Sequence, residues 1–244
     1  MERYLDLTLV MNRALDVFKQ KWLKLSALVL LMYAVVLVPF GLWYLDVLNS
    51  TQALTHKTET ELLNMFDALF LVRTLGLLVG IALCMYVTML LYKTILSVAK
   101  GKTISLETST VVNYFVVTII VGIIAAVSMN FCYIPFFIIY PRVMLAPIYI
   151  IDNPKMGIGD AIEQSWNATK DNIWKLLLLG VIARLISYLG ALLLGVGALP
   201  AEAFVNVMLV MVYLILSGQD ELAQDDVTPQ EETFVVEEKT VCRD

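Results

Sequence analysis

The sequence predicts an all-α, polytopic transmembrane bundle. Hydrophobic residues make up 59% of the 244 positions and charged residues only 16%, and the mean hydropathy is +0.79. The interior of a soluble domain is too small to bury that much apolar surface. The apolar residues also lie in long continuous runs, whereas a membrane barrel strand alternates polar and apolar residues over about ten positions. Helices satisfy their own backbone hydrogen bonds in lipid, so helices are expected.

Six of the apolar runs are long enough to cross a bilayer. The hydrocarbon core is about 30 Å thick, and a helix needs roughly 20 mostly apolar residues to cross it. The predicted spans are 25–48, 72–97, 111–130, 131–151, 174–195 and 199–217.

Two segments that precede predicted spans have amphipathic periodicity. Residues 6–22 and 158–173 place apolar side chains at helical spacing on one side and charged or amide side chains opposite. We expect each segment to form an interfacial helix whose apolar side is buried at the inner membrane surface. Trp22 and Trp174 are expected at headgroup depth, where tryptophan is enriched.

The same two regions resemble each other along the chain. Residues 14–31 and 161–179 both begin with alanine, an aliphatic residue and an acid, and both reach tryptophan and lysine before a span. A weaker third copy begins at Lys102. The implied unit is an interfacial helix followed by two spans, used up to three times. Chance similarity between amphipathic segments is the alternative explanation.

The charges divide the chain into a basic body and an acidic tail. Residues 218–244 carry nine acidic residues against Lys239 and Arg243, while the preceding residues carry a net charge of +2. The tail, poor in apolar residues, is expected to be disordered and cytoplasmic, where it could bind a protein partner. Nucleic-acid binding has no support in this distribution.

Basic residues predict the orientation. Eleven Lys and Arg residues precede the odd-numbered spans, and only Lys57 and Arg73 lie on the opposite side. The positive-inside rule therefore predicts that both termini face the cytoplasm of a bacterial inner membrane.

Catalytic and metal-binding motifs are lacking. The three cysteines are scattered, the single histidine is His56, and no metal-ligand spacing, phosphate-binding loop or nucleophile motif occurs. We therefore predict neither a metal nor a cofactor, and a protein that is not an enzyme.

Polar residues within the spans are the candidate site. Arg142 and Arg184 lie near the middle of the fourth and fifth predicted spans, where a charge costs about 2.5–3.5 kcal/mol and normally faces protein or water. Glu202 and Asn206, in the sixth span, are the nearest possible partners of Arg184. These arginines either bind an anionic lipid or substrate or tie helices together.

Prolines are expected to break the fourth span. Pro135, Pro141 and Pro147 recur every six residues, and each removes a backbone donor. The freed carbonyls beside Arg142 are then bonded by neighbouring helices or line a cavity.

The stretch from Tyr140 to Leu179 resembles a pattern of YciC-type bacterial inner-membrane proteins and is similar to the membrane domain of some glycerophosphodiester phosphodiesterases. The pattern is an arginine in a span, an Asp-Asn turn, an amphipathic helix and a tryptophan before the next span. The matching residues are Arg142, Asp152, Asn153, Ala161, Ser165, Trp166, Lys170 and Trp174. The resemblance implies a polytopic bundle. It implies no catalysis, because these residues include no phosphodiesterase catalytic motif, and the acidic tail departs from the pattern.

Three functional hypotheses follow. The first is a non-enzymatic membrane or envelope protein that binds lipids or partner proteins as a scaffold. The second is a small transporter or channel for an anionic substrate, with the broken fourth span and Arg142 lining the path. The third, least favoured, is an enzyme that acts on lipids through Asp152, Asp160 or Glu163, since these acids equally suit a helix start.

Overall fold

The computed structural model describes residues 5–53, 59–131, 133–192 and 197–219. Within these ranges the chain is entirely helical apart from its turns and connecting segments. The helices are α1 (Leu7–Ala53), α2 (Glu59–Ala99), α3 (Thr108–Phe131), α4 (Tyr133–Val143), α5 (Ala146–Asp152), α6 (Ile158–Thr169), α7 (Ile173–Leu192) and α8 (Ala198–Ser217). The predicted helical bundle is confirmed at this level.

Five helical segments in the described ranges are long and apolar enough to cross a membrane. They are Leu7–Gly41, Leu75–Ala99, Thr108–Asn130, Ile158–Leu192 and Ala198–Ser217. Large apolar side chains such as Leu37, Leu83 and Leu189 remain exposed on the outside of the bundle, as lipid-facing side chains do.

The fourth predicted span, 131–151, is not confirmed as one helix. The structure divides it into α4, with 11 residues, and α5, with 7, joined by a turn at Met144 and Leu145. Pro147 lies in the first turn of α5, where a missing N–H is tolerated. The expected break therefore occurs, between Pro141 and Pro147.

The first amphipathic segment begins α1 and packs against protein. Its apolar residues Val10, Ala14 and Val17 are buried inside the bundle, and the ring of Phe18 meets that of Phe204 at 5.7 Å. The expectation that this side is buried in the lipid interface is therefore wrong for these residues. The segment is still distinct from the span that follows, because Lys21 leaves the helical conformation, with φ −142° and ψ 33°.

The second amphipathic segment forms α6 and a separate 3₁₀ turn, Lys170–Asn172, before α7 begins. Its buried side is centred on Ala161, Ser165 and Thr169 rather than on the larger apolar residues beside them. Small side chains on this side let α6 approach the short helices α4 and α5 closely, and these are the helices that it mainly contacts. The proposed third copy of the repeat, which begins at Lys102, differs from the other two in its first part, because residues 102–107 are not helical.

Helix α8 is the centre of the fold. Twelve of its residues are buried, including every position from Val210 to Leu216. Helices α1 and α7 pack along it, while α2 pairs with α1, and α3 packs against α4 and α5. Gly190 lets α7 lie close to the start of α8, since a Cβ at this position would be only 2.6 Å from the carbonyl oxygen of Gly197.

Of the predicted acidic tail, 218–244, all but Gly218 and Gln219 lies outside the described residues.

Candidate functional site

Four residues form a buried polar group, here called the Asp152 cluster: Lys100, Tyr149, Asp152 and Tyr213. The Lys100 ammonium forms an ion pair and hydrogen bond with Asp152 Oδ1. The hydroxyl of Tyr213 donates to Asp152 Oδ2 at 2.5 Å, and the rings of Tyr213 and Tyr149 pack edge to face at 4.7 Å. The carboxylate side chain is only 4% exposed, against 22% for the lysine. A charge this buried persists only when it is paired and hydrogen-bonded, as it is here.

Helix ends bring the Asp152 cluster together. Helix α2 stops at Ala99 because Gly101 takes a left-handed conformation, with φ 62°, and Lys100 is thereby placed at the end of the helix. Asp152 is the last residue of α5. Helix α8 ends at Ser217, because Gly218 takes a left-handed conformation, with φ 71°, and its N–H bonds to the carbonyl of Ile215. The ends of α2 and α5 therefore meet the last two turns of α8.

Arg142 and Trp166, here called the Arg142 pair, form a second polar group where α4 meets α6. The guanidinium carbon lies 4.5 Å from the centroid of the Trp166 ring, within the range of a cation–π contact. The hydroxyl of Ser165 donates to the Arg142 carbonyl at 2.6 Å and ties the two helices together. The Arg142 Nε is buried and has no hydrogen-bond partner within the described part of the chain. No carboxylate lies within ion-pair distance of the guanidinium among these residues.

The remaining predicted site residues lie elsewhere, between α7 and α8. The Ser187 hydroxyl donates to Glu202 Oε2 at 3.0 Å, and the Asn206 amide donates to the Glu202 carbonyl one turn earlier at 2.8 Å. Arg184 is exposed on the outside of the bundle and bonds to neither within the described residues. Arg184, Glu202 and Asn206 therefore do not join Arg142 in one site.

The residues of the family-like pattern, apart from Ala161 on the buried side of α6, fall into four groups. Asp152 belongs to the Asp152 cluster, while Ser165 and Trp166 meet Arg142. Asn153 caps α5 by bonding its N–H to the Tyr149 carbonyl at 2.9 Å. Lys170 is exposed in the 3₁₀ turn, and Trp174 is 83% exposed at the start of α7, the position expected for a headgroup anchor.

Sequence reasoning missed Lys100, Tyr149 and Tyr213. A weak signal was present for Tyr213, because its phenol interrupts the apolar run 207–216 and a buried tyrosine hydroxyl needs a partner. For Lys100 the sequence indicates only that a helix ends there, because Gly101 follows a long apolar run. It does not indicate which residue the lysine pairs with. Lys100 and Tyr213 lie 52 and 61 positions from Asp152 in the sequence. Only the packing of α2, α5 and α8 brings the three side chains together.

A polar cleft of about 410 Å³ opens on the opposite flank of α6 from Trp166. It lies between the end of α5, the polar side of α6 and the end of α8. The lining residues are Tyr149, Asn153, Met156, Gln164, Asn167, Leu216, Ser217 and Gln219. In the described ranges, no three His, Cys, Asp or Glu side chains converge in a way that could hold a metal ion.

Comparisons with known proteins add no relative to this description. The chain matches no protein-family model, and neither characterised proteins nor solved structures show a significant similarity to it.

Proposed function

We propose that this chain is a non-enzymatic integral membrane protein that binds the phosphate of lipid headgroups through the Arg142 pair and serves membrane or envelope homeostasis as a scaffold. The observation that carries the proposal is the guanidinium of Arg142, which is held against Trp166 at 4.5 Å but has no carboxylate partner in the described chain.

The chemistry of this pair suits a phosphate. Guanidinium presents its N–H donors in a planar fork that matches two phosphate oxygens, and the stacked indole holds that fork in one orientation. Tryptophan also favours the boundary between headgroups and acyl chains. The hydrogen bond from Ser165 to the Arg142 carbonyl fixes the backbone that carries the arginine. A lipid phosphate would supply the missing anion.

The proposed topology has six crossings, with both termini on the cytoplasmic side of a bacterial inner membrane. Helices α4 and α5 together form the broken fourth crossing, and irregular backbone at that depth is tolerated because α5 is buried in protein. The helical break at Lys21 and the 3₁₀ turn at 170–172 both separate an amphipathic segment from a span, which supports a repeated unit. The asymmetry of Lys and Arg supports the orientation.

Membership of the YciC-type group is part of the same proposal and is supported by the placement of its pattern residues. Arg142, Ser165 and Trp166 are in contact although 23 positions separate Ser165 from Arg142. The acidic tail, 218–244, is proposed to bind a protein partner. Deletion of the tail is expected to release that partner in a pull-down while the detergent-solubilised bundle keeps its thermal stability.

The test is lipid binding by Arg142→Gln in nanodiscs. Charge-assisted hydrogen bonds contribute about 1.5–3 kcal/mol, so affinity for phosphatidylglycerol should fall roughly tenfold to a hundredfold. Native mass spectrometry of lipid adducts, titrated against phosphatidylcholine, measures this change. The free energy of unfolding should change by no more than about 1 kcal/mol, the size of an exposed cation–π contact.

Lys102→Gln is the matched control, because it removes one positive charge from an exposed segment outside the helices. Its affinity for phosphatidylglycerol should stay within roughly twofold of the unmodified chain, since an exposed charge contributes little. Equal losses in both variants would show that overall charge, and not the Arg142 pair, attracts the lipid, and the proposal would fail.

The second candidate function is transport of an anionic substrate along the break between α4 and α5. The turn at Met144 and Leu145 directly follows Arg142, and a broken helix at a charged residue is a common feature of transporter sites. Reconstituted vesicles distinguish the candidates. A transporter loses anion flux in Arg142→Gln, whereas a scaffold shows no protein-dependent flux with either chain.

A further inference from the structure

The geometry points to a second binding site: the polar cleft between α5, α6 and α8 binds an uncharged, hydroxyl-rich group such as a sugar. This site is independent of the lipid-phosphate site, because it lies on the other flank of α6 and uses none of its residues. Its volume of about 410 Å³ falls within the range of small-molecule sites, about 300–1,000 Å³.

The lining is rich in primary amides and has no charged side chain among the residues described. The side-chain amides of Gln164, Asn167 and Gln219 make no hydrogen bond within the described part of the chain. Asn153 bonds only weakly through its side-chain nitrogen, at 3.4 Å from the Tyr149 carbonyl. Several amide donors and acceptors are therefore available along one small surface.

This set of groups selects the chemistry of the ligand. Each primary amide presents both a donor and an acceptor. A phosphate accepts hydrogen bonds only and would leave the amide oxygens unmatched, while an ammonium donates only and would leave the N–H groups unmatched. A hydroxyl both donates and accepts hydrogen bonds, so two adjacent hydroxyls satisfy the N–H and the oxygen of one amide. Met156 and Leu216 provide apolar contact for the carbon skeleton between hydroxyls.

One wall of the cleft is linked to the Asp152 cluster and lies at a helix end. Tyr149 lines the cleft and also packs against Tyr213, which the Asp152 cluster fixes. Ser217 and Gln219 lie at the end of the transmembrane helix α8, the depth at which a lipid headgroup is found. A sugar headgroup of a glycolipid and a free sugar share the required chemistry.

The experiment uses the full chain in phosphatidylcholine nanodiscs with and without a monoglucosyl diacylglycerol, and with free glucose as a separate arm. The thermal midpoint is expected to rise with at least one of these probes, because a ligand that binds the native state stabilises it. A rise with the glycolipid alone identifies a headgroup site, and a rise with glucose identifies a soluble sugar. Both probes lack phosphate, so this result does not depend on Arg142.

The double variant Gln164→Leu/Asn167→Leu removes two amides from the cleft. Affinity for the active probe should fall about tenfold to thirtyfold, the effect of two hydrogen bonds. The control Asn12→Leu/Gln20→Leu replaces two exposed amides on α1 and should leave affinity unchanged. Asn167→Ala, a smaller change, should weaken binding roughly fivefold and serves if the double variant folds poorly.

Three results would overturn the inference. The first is a thermal midpoint that neither probe changes in the unmodified chain. The second is an equal loss of affinity in the cleft variant and the α1 control. The third is a response that appears only after deletion of 220–244, which would make the tail, rather than a sugar, the occupant of the cleft.

Discussion

The Asp152 cluster and the Arg142 pair both hold a charged side chain near α5 and α6, but they differ in where its partners come from. Asp152 receives an ammonium from α2 and a phenol hydroxyl from α8, so its oxygens are satisfied within the chain. Arg142 receives a ring face from Trp166, while its Nε has no hydrogen-bond partner among the residues that the structure describes. A closed polar group, in which the side chains satisfy one another, stabilises the fold. An open polar group, in which a donor has no partner, is available to a ligand.

The largest expected effect is from Asp152→Ala, which removes the acceptor at the centre of the closed group. Lys100 and the hydroxyl of Tyr213 then lose their shared partner. Breaking a buried ion pair costs about 3–5 kcal/mol, and the 22% exposure of Lys100 places the loss of unfolding free energy at the lower end. Denaturant unfolding in detergent micelles measures it.

Glu163→Ala is the control for that substitution, because Glu163 is an exposed acid on α6. Its free energy of unfolding should change by less than about 0.5 kcal/mol. If Asp152→Ala destabilised the bundle no more than this control, the Asp152 cluster would not hold the three helices together.

Tyr213→Phe should have the next largest effect. The substitution keeps the ring that packs against Tyr149 but removes the hydroxyl that bonds to Asp152 at 2.5 Å. A hydrogen bond to a charged group contributes about 1.5–3 kcal/mol, and this loss should appear as a lower midpoint of denaturation. Tyr188→Phe, at a tyrosine that is 69% exposed on α7, should be neutral. An equal midpoint of denaturation in the two variants would show that the Tyr213 hydroxyl does not stabilise Asp152.

Ser165→Ala should have the smallest effect on stability and a clear effect on lipid binding. It removes the hydrogen bond to the Arg142 carbonyl at 2.6 Å, which contributes about 1 kcal/mol. Affinity for phosphatidylglycerol should fall roughly threefold to tenfold, because the arginine is less firmly placed. Ser97→Ala, which loses a bond within α2 only, should keep its lipid affinity. A lipid affinity unchanged by Ser165→Ala would show that this tie does not position Arg142.

The helices of this bundle could be predicted from the sequence because lipid requires long apolar runs. The break near Pro141 and Pro147 could also be predicted, since proline removes a backbone donor wherever it stands. The destination of the first amphipathic segment could not. Val10, Ala14 and Val17 have the same periodicity whether lipid or protein covers them, and here they are buried in the protein. Periodicity therefore does not identify the covering surface.

The candidate site was predictable only where local spacing carried the information. Ser165 and Trp166 are adjacent on α6 and match the family-like pattern together with Arg142. The link between Asp152, Lys100 and Tyr213 depends on how three helices cross, which no local pattern encodes. Arg184 lies in α7 and Glu202 in α8, but Ser187, in the same helix as Arg184, provides the hydrogen bond to Glu202.

The packing of the amino-terminal segment against the last helix has a consequence for biosynthesis. The N–H of Leu5 bonds to Asn172 Oδ1 across 167 positions, and Phe18 meets Phe204. A ribosome completes the first segment long before it reaches α8. During that interval Val10, Ala14 and Val17 are not yet buried as they are in the complete bundle. A nascent chain stalled before α8 therefore exposes an apolar surface that insertion factors and quality-control proteases can recognise. Synthesis of α8 is therefore the step that completes the cover of the first segment.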